Sequence, residues 1–424
     1  MKSLNLLYIP WIKEHGDVLL HDVAKDADDI ALTPVQITPQ GDTVARRALI
    51  QFAANAPRTY ARLFERQFLN AAPSAHALAL TLDWTPPMRI AAEVAQSHGV
   101  PVIVIPHEGV FMEEWRYYRD PNTGADAPIA DRLLAWGHGQ KDIFTKRGYP
   151  AERISVVGSP KLQKAASYAP RLTREEYCSR LGLAPERKIV MFCAQTLDNV
   201  EAPRTARQMQ ARAVADLHDV CRERDYQLIL RLPAIQQGTL LQDTFDEALG
   251  AHQALTIARP DGGGVEATPA EATWHADCVA SFGSTMLLEK GLMNGPSLAT
   301  TYIEEVTPFV RNGGLPSVET KAEIEALLPE LMSRGVRSFP ADGWARLEHE
   351  FSADDFEDTA ALVRIREALR AYDQSVDFSD LRPRQTGGLP APDLLRAGHR
   401  TYRRVETDLV NRFERVFWKI VGVR

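Results

Sequence analysis

The feature that most constrains the fold is the alternation of short apolar runs with longer amphipathic stretches. The clearest case is an apolar run at 76–84, a helical pattern at 86–99 and a second apolar run at 100–109. Pro86 stands where the helix would begin, and Gly99 stands where it would end. Strands that alternate with helices in this way form parallel sheets whose faces are covered by helices.

This alternation occurs in two series along the chain. The first predicts an α/β domain over residues 1–165, and a polar stretch at 166–186 predicts a linker. The second predicts another doubly wound, Rossmann-like domain over 187–375, followed at 376–424 by a connection and an amphipathic helix that packs back on the first domain. Ligands of such sheets bind at the carboxyl ends of the strands, so we expect a site in a cleft between the domains.

Composition and charge exclude several classes of protein. Hydrophobic residues make up 45% of the 424 residues and charged residues 25%, as in an average soluble protein. The net charge of -7 argues against nucleic-acid binding, which needs a basic excess. The N-terminus lacks the long apolar segment of a signal peptide, and about 18 consecutive apolar residues occur nowhere. We therefore expect a cytoplasmic protein with free cysteines.

The most informative motif is the stretch at 276–300. A predicted strand ends at Ser281, Gly283 permits close approach of a ligand, and Ser284 and Thr285 precede a predicted helix. Glu289, one turn into that helix, is placed to accept hydrogen bonds from a sugar or ribose hydroxyl. The motif predicts a site for the phosphates of a nucleotide-activated donor. An ordinary helix N-cap remains the alternative, because Ser and Thr are favoured there in any protein.

Further donor-binding candidates follow other predicted strands. One group lies before the linker, where backbone N–H groups and a lysine could meet a diphosphate. The other lies after the first two strands of the second domain, where an arginine offers a planar cationic fork. Turn chemistry explains the first group equally well, and each member of the second could be part of an ordinary loop. The candidates are Gly158, Ser159, Lys161, Gln195, Thr196, Arg231 and Pro233.

Three residues compete for the role of general base in the first domain. His107 and Glu108 follow the apolar run 102–106, and Asp83 follows the preceding one. Burial can tune such groups toward neutral pH, and histidine needs the least tuning. A hydrogen-bonded structural histidine is the alternative for His107.

Other motifs that carry chemistry are missing from the sequence. Asp261 begins a glycine run without the Lys-Ser/Thr of a phosphate-binding P-loop, and Ser281 and Ser284 are not in a GxSxG elbow. No Cys/His group has the spacing of metal ligands. We therefore expect no metal and no cofactor.

Together these stretches resemble the GT-B enzymes of bacterial capsule, teichoic-acid and lipopolysaccharide synthesis, which include glycosyltransferases and glycerophosphotransferase-like enzymes. The resemblance covers about residues 75–300. His107 takes the place of the histidine in that family's His-Gly motif, although Glu108 intervenes before Gly109. Arg231-Leu232-Pro233 stands where many relatives have His-Pro. The resemblance implies the GT-B fold and a nucleotide-sugar or CDP-polyol donor.

The predicted function is a metal-independent transferase that extends a bacterial surface polysaccharide or a lipid-linked acceptor. Two alternatives stay open. The pattern of a His and a Glu near a Gly also resembles that of non-hydrolysing nucleotide-sugar 2-epimerases, which need no acceptor. An inactive GT-B protein would bind a nucleotide without turnover.

The basic, amphipathic segment 398–424 also has two interpretations. Its apolar stripe packs on the first domain, or its aromatic and basic residues contact an anionic membrane as a peripheral anchor.

Overall fold

The computed structural model describes residues 4–11, 16–37, 43–72, 75–109, 112–113, 118, 126–197, 202–233, 245, 247–249, 255–258, 268–303, 307–357 and 360–371. They form two compact units. The first holds the described residues up to Ser159, Glu350–Ala353 and the helix Ala361–Ala371. The second holds Pro160–His349 and the described residues from Asp354 to 357. The predicted segment 398–424 lies outside the described residues.

A parallel sheet forms the centre of the first unit. The strand order is β2-β1-β3-β4-β5-β6, and every neighbouring pair is parallel. Strands β3 and β4 are buried along their whole length, because their apolar side chains face helices on both sides of the sheet. The strands are β1 (Leu4–Tyr8), β2 (Ile30–Pro34), β3 (Ala77–Leu80), β4 (Val102–Val104), β5 (Arg132–Ala135) and β6 (Ile154–Val156).

Helices cover this sheet on both faces. The helix predicted at 86–99 spans Pro86–Ser97. The last described helix, Ala361–Ala371, falls within the predicted second domain, but its Ile365 and Leu369 pack in the core of the first unit. Its Arg370 binds both carboxylate oxygens of Asp29 at 2.7 and 2.8 Å. The other helices of this unit are Val18–Ala24, Thr43–Asn55, Pro57–Ala71 and His138–Lys146, with a short 3-10 turn at Ala151–Arg153.

The second unit has the same architecture, a parallel sheet with helices on its faces. Its sheet has the order β12-β11-β10-β7-β8-β9, again with parallel pairs. The strands are β7 (Ile189–Cys193), β8 (Gln227–Arg231), β9 (Leu255–Ala258), β10 (Cys278–Ser281), β11 (Ser297–Thr300) and β12 (Ser317–Val318). Two doubly wound α/β units of this kind confirm the predicted fold class.

The remaining helices follow Ser159 in the chain. They are Pro160–Ala166, Arg174–Leu181, Pro203–Glu223, Pro269–His275, Met286–Leu292, Pro308–Arg311, Lys321–Arg334 and Ala341–Phe351. Two of them lie in or next to the predicted linker and are part of the second unit. None of the helices in the described ranges is long and apolar enough to cross a membrane. All four cysteines are buried free thiols, as predicted.

A buried carboxylate holds the segment before the second sheet in place. Glu271 is 3% exposed and accepts hydrogen bonds from the backbone of Arg171 (3.2 Å) and Leu172 (3.0 Å) and from the hydroxyl of Tyr168. His275 lies 3.2 Å from the same carboxylate. Burial raises the pKa of Glu271, but these hydrogen bonds outweigh it and the net pKa is lowered.

We expect Glu271→Ala to lower the free energy of unfolding by about 2 kcal/mol, because several partly buried donors lose their acceptor. Since the pKa of Glu271 is lowered, its contribution is complete above the ordinary glutamate pKa and is lost as pH falls through the lowered value. Urea unfolding of the variant at pH 7 and at acid pH measures both effects. Glu175→Ala, an exposed change on the helix Arg174–Leu181, serves as the control. Equal stability of the two variants would contradict the anchoring role.

Candidate functional site

His107 lies at the carboxyl end of β4, three residues beyond the strand. Its backbone N–H donates to the carbonyl of Thr81, 3.4 Å away, and its Nδ1 lies 3.1 Å from the same oxygen. Because a carbonyl only accepts hydrogen bonds, Nδ1 carries the proton of the neutral ring and Nε2 carries the lone pair. Thr81 directly follows β3, so the imidazole is fixed where the two central strands end.

Asp83 lies at the same edge of the sheet and is completely buried. Its Oδ2 accepts the backbone N–H groups of Ile129 (2.7 Å) and Ala130 (3.0 Å). Among the described residues its buried Oδ1 has no hydrogen-bond partner. Burial raises the pKa of Asp83, while Arg89 and the hydrogen bonds act in the opposite direction. A buried carboxylate with a raised pKa is typical of proton-transferring groups.

A tyrosine that the sequence analysis missed lies beside this carboxylate. Tyr118 is 5% exposed, and the pKa values of its hydroxyl and of the Asp83 carboxyl group depend on each other. Burial, followed by the charges of Asp83 and Glu108, raises the pKa of Tyr118 well above its ordinary value. Two of the three predicted candidates for the general base, Asp83 and Glu108, thus act electrostatically on this phenol.

In the second unit, the turn after β10 is tightly packed. Ser281 is fully buried, and its hydroxyl donates to the carbonyl of Cys193 at the end of β7, 2.7 Å away. The N–H of Gly283 donates to Oε1 of Gln195 at 2.8 Å. A Cβ added at Gly283 would lie 2.4 Å from the Thr307 methyl group, so a side chain does not fit there. The predicted close approach at Gly283 is to the protein itself.

The Ser284-Thr285 pair differs in detail from the sequence prediction. The helix begins at Met286, and Ser284 Oγ accepts the Met286 N–H at 3.3 Å, a local cap. The Thr285 hydroxyl donates to Glu289 Oε1 (3.0 Å) and accepts from Lys161 Nζ (2.6 Å). Lys161 also lies 3.1 Å from Glu289, whose residue is 6% exposed. Lys161, Thr285 and Glu289, predicted from separate motifs, thus form one polar cluster.

The predicted diphosphate-binding turn at 158–161 does not lie in one unit. Gly158 and Ser159 belong to the first unit, and Lys161 belongs to the second. Gly158 has φ +87°, and a Cβ added to it would lie 3.2 Å from the Cβ of Ala361. Ser159 is 4% exposed. The backbone of the turn and the packing of the helix Ala361–Ala371 therefore both require a glycine at this position. This agrees with the alternative interpretation of residues 158–161 as an ordinary turn.

Arg231 is the last residue of β8. Its Nη1 is buried and lacks a hydrogen-bond partner among the described residues. Burial lowers the pKa of Arg231, opposed by Cys193, Tyr177 and Glu289. Tyr177, which the sequence did not suggest, is 1% exposed, and its hydroxyl is likewise without a partner in the part of the chain that is described. Buried donors are ordinarily paired, so two of them without an acceptor among the described residues make this a candidate site for an anion.

The other predicted donor-binding residues have contacts within the protein that do not indicate a ligand. The backbone carbonyl of Thr196 accepts a hydrogen bond from Arg207 at 3.5 Å, and Pro233 is partly buried two residues beyond β8. Gln195 is held by Gln210, which bonds both its N–H and its carbonyl at 2.9 Å. In the described ranges no three His, Cys, Asp or Glu residues are grouped as metal ligands.

Comparison with solved structures identifies the fold. The UDP-GlcNAc 2-epimerase from Neisseria meningitidis, bound to UDP-GlcNAc, is similar with a TM-score of 0.59 and 11% identity, over 88% of this chain and 100% of that one. The Methanocaldococcus jannaschii UDP-GlcNAc 2-epimerase has a TM-score of 0.58 and 12% identity, over 87% and 100%. The wall teichoic acid polymerase TagF has a TM-score of 0.53 and 12% identity, over 87% and 88%. No protein-family model and no curated protein sequence matches the chain.

These similarities show that the chain has the GT-B fold, as the sequence resemblance implied. They do not support the transferase function that was the main prediction from the sequence. The similarities of higher TM-score are to UDP-GlcNAc 2-epimerases, and the transferase TagF follows at a lower score. The prediction of a glycosyl- or polyol-phosphate transferase is therefore wrong, and the findings favour the epimerase alternative. The sequence motifs could not distinguish a transferase from an epimerase, because they resemble those of both enzyme classes.

Proposed function

We propose that this protein is a nucleotide-sugar 2-epimerase. Such an enzyme inverts the configuration at C2 of the sugar, and both its substrate and its product are nucleotide sugars. The similarity to UDP-GlcNAc 2-epimerases over nearly the whole length of those chains supports the reaction class. The observation on the molecule that carries the proposal is the fully buried carboxylate of Asp83, whose Oδ1 has no partner among the described residues, at the sheet edge where His107 is fixed on Thr81.

Epimerisation requires two proton transfers at one carbon. A base removes the proton from C2 while the C1–O bond to the nucleotide breaks, so that the electron pair forms a C1=C2 double bond and the nucleotide leaves as its phosphate anion. A proton is then returned to C2 on the other face while the phosphate oxygen bonds again to C1. Two carboxyl groups whose environments differ suit this task, because one can be ionised while the other is protonated. A transferase needs only one base for its acceptor hydroxyl. We assign the two transfers to Asp83 and Glu108, and a hydrogen-bonding role toward the sugar to His107.

The second unit would hold the nucleotide in this proposal. Arg231 offers a guanidinium whose buried Nη1 lacks an acceptor among the described residues, and Lys161 offers a partly exposed ammonium group next to Thr285 and Glu289. These two cations suit the phosphates of a nucleotide. Because they neutralise phosphate charge, the proposal requires no metal ion.

The test is a nuclear magnetic resonance assay of UDP-N-acetylglucosamine alone in D₂O, with no acceptor present. We expect a second nucleotide sugar, the 2-epimer, to accumulate, with deuterium replacing hydrogen at the inverted carbon. The rate should be the same with EDTA, since no metal is assigned a role.

Three other outcomes would overturn parts of the proposal. Loss of activity in EDTA with recovery on adding a divalent ion contradicts metal independence. Binding of UDP-N-acetylglucosamine or UDP in calorimetry without any epimer or deuterium supports the inactive binding protein. Absence of binding contradicts the choice of nucleotide sugar.

A further inference from the structure

We infer that Thr307 is a further residue of the nucleotide site, whose hydroxyl group donates a hydrogen bond to a phosphate oxygen of the nucleotide. This inference rests on the proposed function and names a residue that the sequence motifs did not include. Thr307 lies in the second unit, between β11 and β12, and directly precedes the short helix Pro308–Arg311.

The first support is the position of the Thr307 side chain against the turn that follows β10. A Cβ added at Gly283 would lie 2.4 Å from Cγ2 of Thr307 and 3.4 Å from its Cβ, so the threonine packs directly on the glycine backbone. The backbone of Thr307 is fixed as well, because its carbonyl accepts the N–H groups of Val310 (3.2 Å) and Arg311 (3.0 Å). Packing and hydrogen bonds therefore hold this side chain beside the turn.

The second support is that the hydroxyl of Thr307 is buried and has no partner. Thr307 is 3% exposed, and its Oγ1 makes no hydrogen bond to any described residue, not even as a cap of the helix that it precedes. A buried hydroxyl without a partner lowers stability, and valine would fill the same space without this cost. The hydroxyl is accounted for when a ligand supplies the acceptor.

The third support is that other donors of this turn are already in use. Ser281 donates its hydroxyl proton to a backbone carbonyl at 2.7 Å, and Thr285 donates its own to the carboxylate of Glu289 at 3.0 Å. Each hydroxyl has a single proton to donate. The N–H of Gly283 is likewise donated within the protein, at 2.8 Å. Thr307 therefore supplies a donor to this turn that the predicted Ser-Thr motif does not.

The charge at this edge of the sheet indicates which ligand group is the acceptor. The Ser281 hydroxyl bonds the carbonyl of Cys193, and Cys193 is paired in register with Arg231 on the neighbouring strand. The turn beside Thr307 and Arg231 thus follow β10 and β8, on the two sides of β7, where ligands of parallel sheets bind. A sugar hydroxyl would leave the guanidinium charge uncompensated. A nucleotide diphosphate carries enough anionic oxygens to accept from both residues.

The test compares Thr307→Val with Thr273→Val by calorimetry with UDP, pyrophosphate and uridine. Valine keeps the methyl group that packs on Gly283 and removes only the hydroxyl. We expect Thr307→Val to weaken the binding of UDP and of pyrophosphate about tenfold, the effect of one hydrogen bond to a charged group, and to leave uridine binding unchanged. Thr273 is also buried in the second unit, but its hydroxyl donates to the Pro269 carbonyl at 2.8 Å. Its replacement should change none of the three affinities.

Thermal unfolding without ligand provides a second comparison. Thr307→Val should unfold at the same or a higher temperature than the wild type, because an unpaired buried hydroxyl is lost, whereas Thr273→Val loses a hydrogen bond and should unfold at a lower temperature.

The inference about Thr307 is wrong if folded Thr307→Val binds UDP as tightly as the wild type does, which would mean that the hydroxyl meets only a buried water molecule. It is equally wrong if the loss extends to uridine, if Thr273→Val loses the same affinity, or if the wild type binds neither UDP nor pyrophosphate. A tenfold loss confined to UDP and pyrophosphate, in a protein that produces no epimer, would refute the proposed function and leave the phosphate contact of Thr307 established.

Discussion

Asp83→Asn is expected to lower the rate of epimerisation by about 10²- to 10⁴-fold, the usual contribution of a general acid or base. Nucleotide affinity should stay unchanged, because Asp83 lies in the first unit and the nucleotide is assigned to the second. The amide oxygen of asparagine can still accept the N–H groups of Ile129 and Ala130. The loss would therefore reflect missing proton transfer. Turnover by nuclear magnetic resonance and UDP affinity by calorimetry measure the two effects.

The same variant should be at least as stable as the wild type at pH 7. Burial raises the pKa of Asp83 above its unfolded value, so the folded state binds a proton more tightly than the unfolded chain does. The stability of the wild type therefore falls as pH rises through the region between the two pKa values. Asparagine removes this penalty, and its unfolding free energy should depend less on pH.

Asp131→Asn is the matched control for Asp83→Asn. Asp131 is also buried, and it accepts the Val102 N–H at 2.8 Å, but no part of the proposed chemistry uses it. Near-normal turnover in Asp83→Asn, together with inactivity of Glu108→Gln, would transfer the role of the base to Glu108 alone. Equal loss in the Asp131 and Asp83 variants would make both effects structural.

The strands and the principal helices could be predicted because local sequence determines them. Apolar runs such as 76–84 must be buried on both faces, and Pro86 and Gly99 mark where the intervening helix is possible. The last described helix, Ala361–Ala371, was harder to place. Its apolar stripe is visible in the sequence, but Ile365 packs in the first unit, and periodicity does not say which core a stripe enters.

The candidate site was less predictable because its groups come from distant parts of the chain. Asp83 and Glu108 could be chosen, since each follows an apolar strand. Tyr118 could not, because it lies in no periodic segment and its interaction with Asp83 arises only in the folded protein. Tyr177 lies on a predicted helical stretch, where a buried aromatic residue ordinarily means packing. The choice between a transferase and an epimerase is harder to predict than the site residues, since the same strand-end motif resembles both enzyme classes.

Arg231→Met is expected to weaken UDP binding about 100-fold, which is the effect of losing charge-assisted hydrogen bonds to a phosphate. The buried Nη1 lacks an acceptor in the described structure, and burial lowers the pKa of the guanidinium. A charge buried without a partner lowers stability, so the site gains most when an anion supplies the missing acceptor. Methionine fills similar space without the charge.

The effects of Arg231→Met on stability and on affinity should therefore have opposite signs. Without ligand the variant should unfold at the same or a higher temperature than wild type, because a charge that burial disfavours is gone. With saturating UDP, the wild type should gain in melting temperature by mass action and the variant should gain much less. Arg222→Met, on the exposed side of the helix Pro203–Glu223 where Arg222 pairs with Asp219 at 3.7 Å, should change neither quantity. If UDP stabilises the Arg231 variant as much as it stabilises the wild type, the anion that Arg231 lacks is not the nucleotide phosphate.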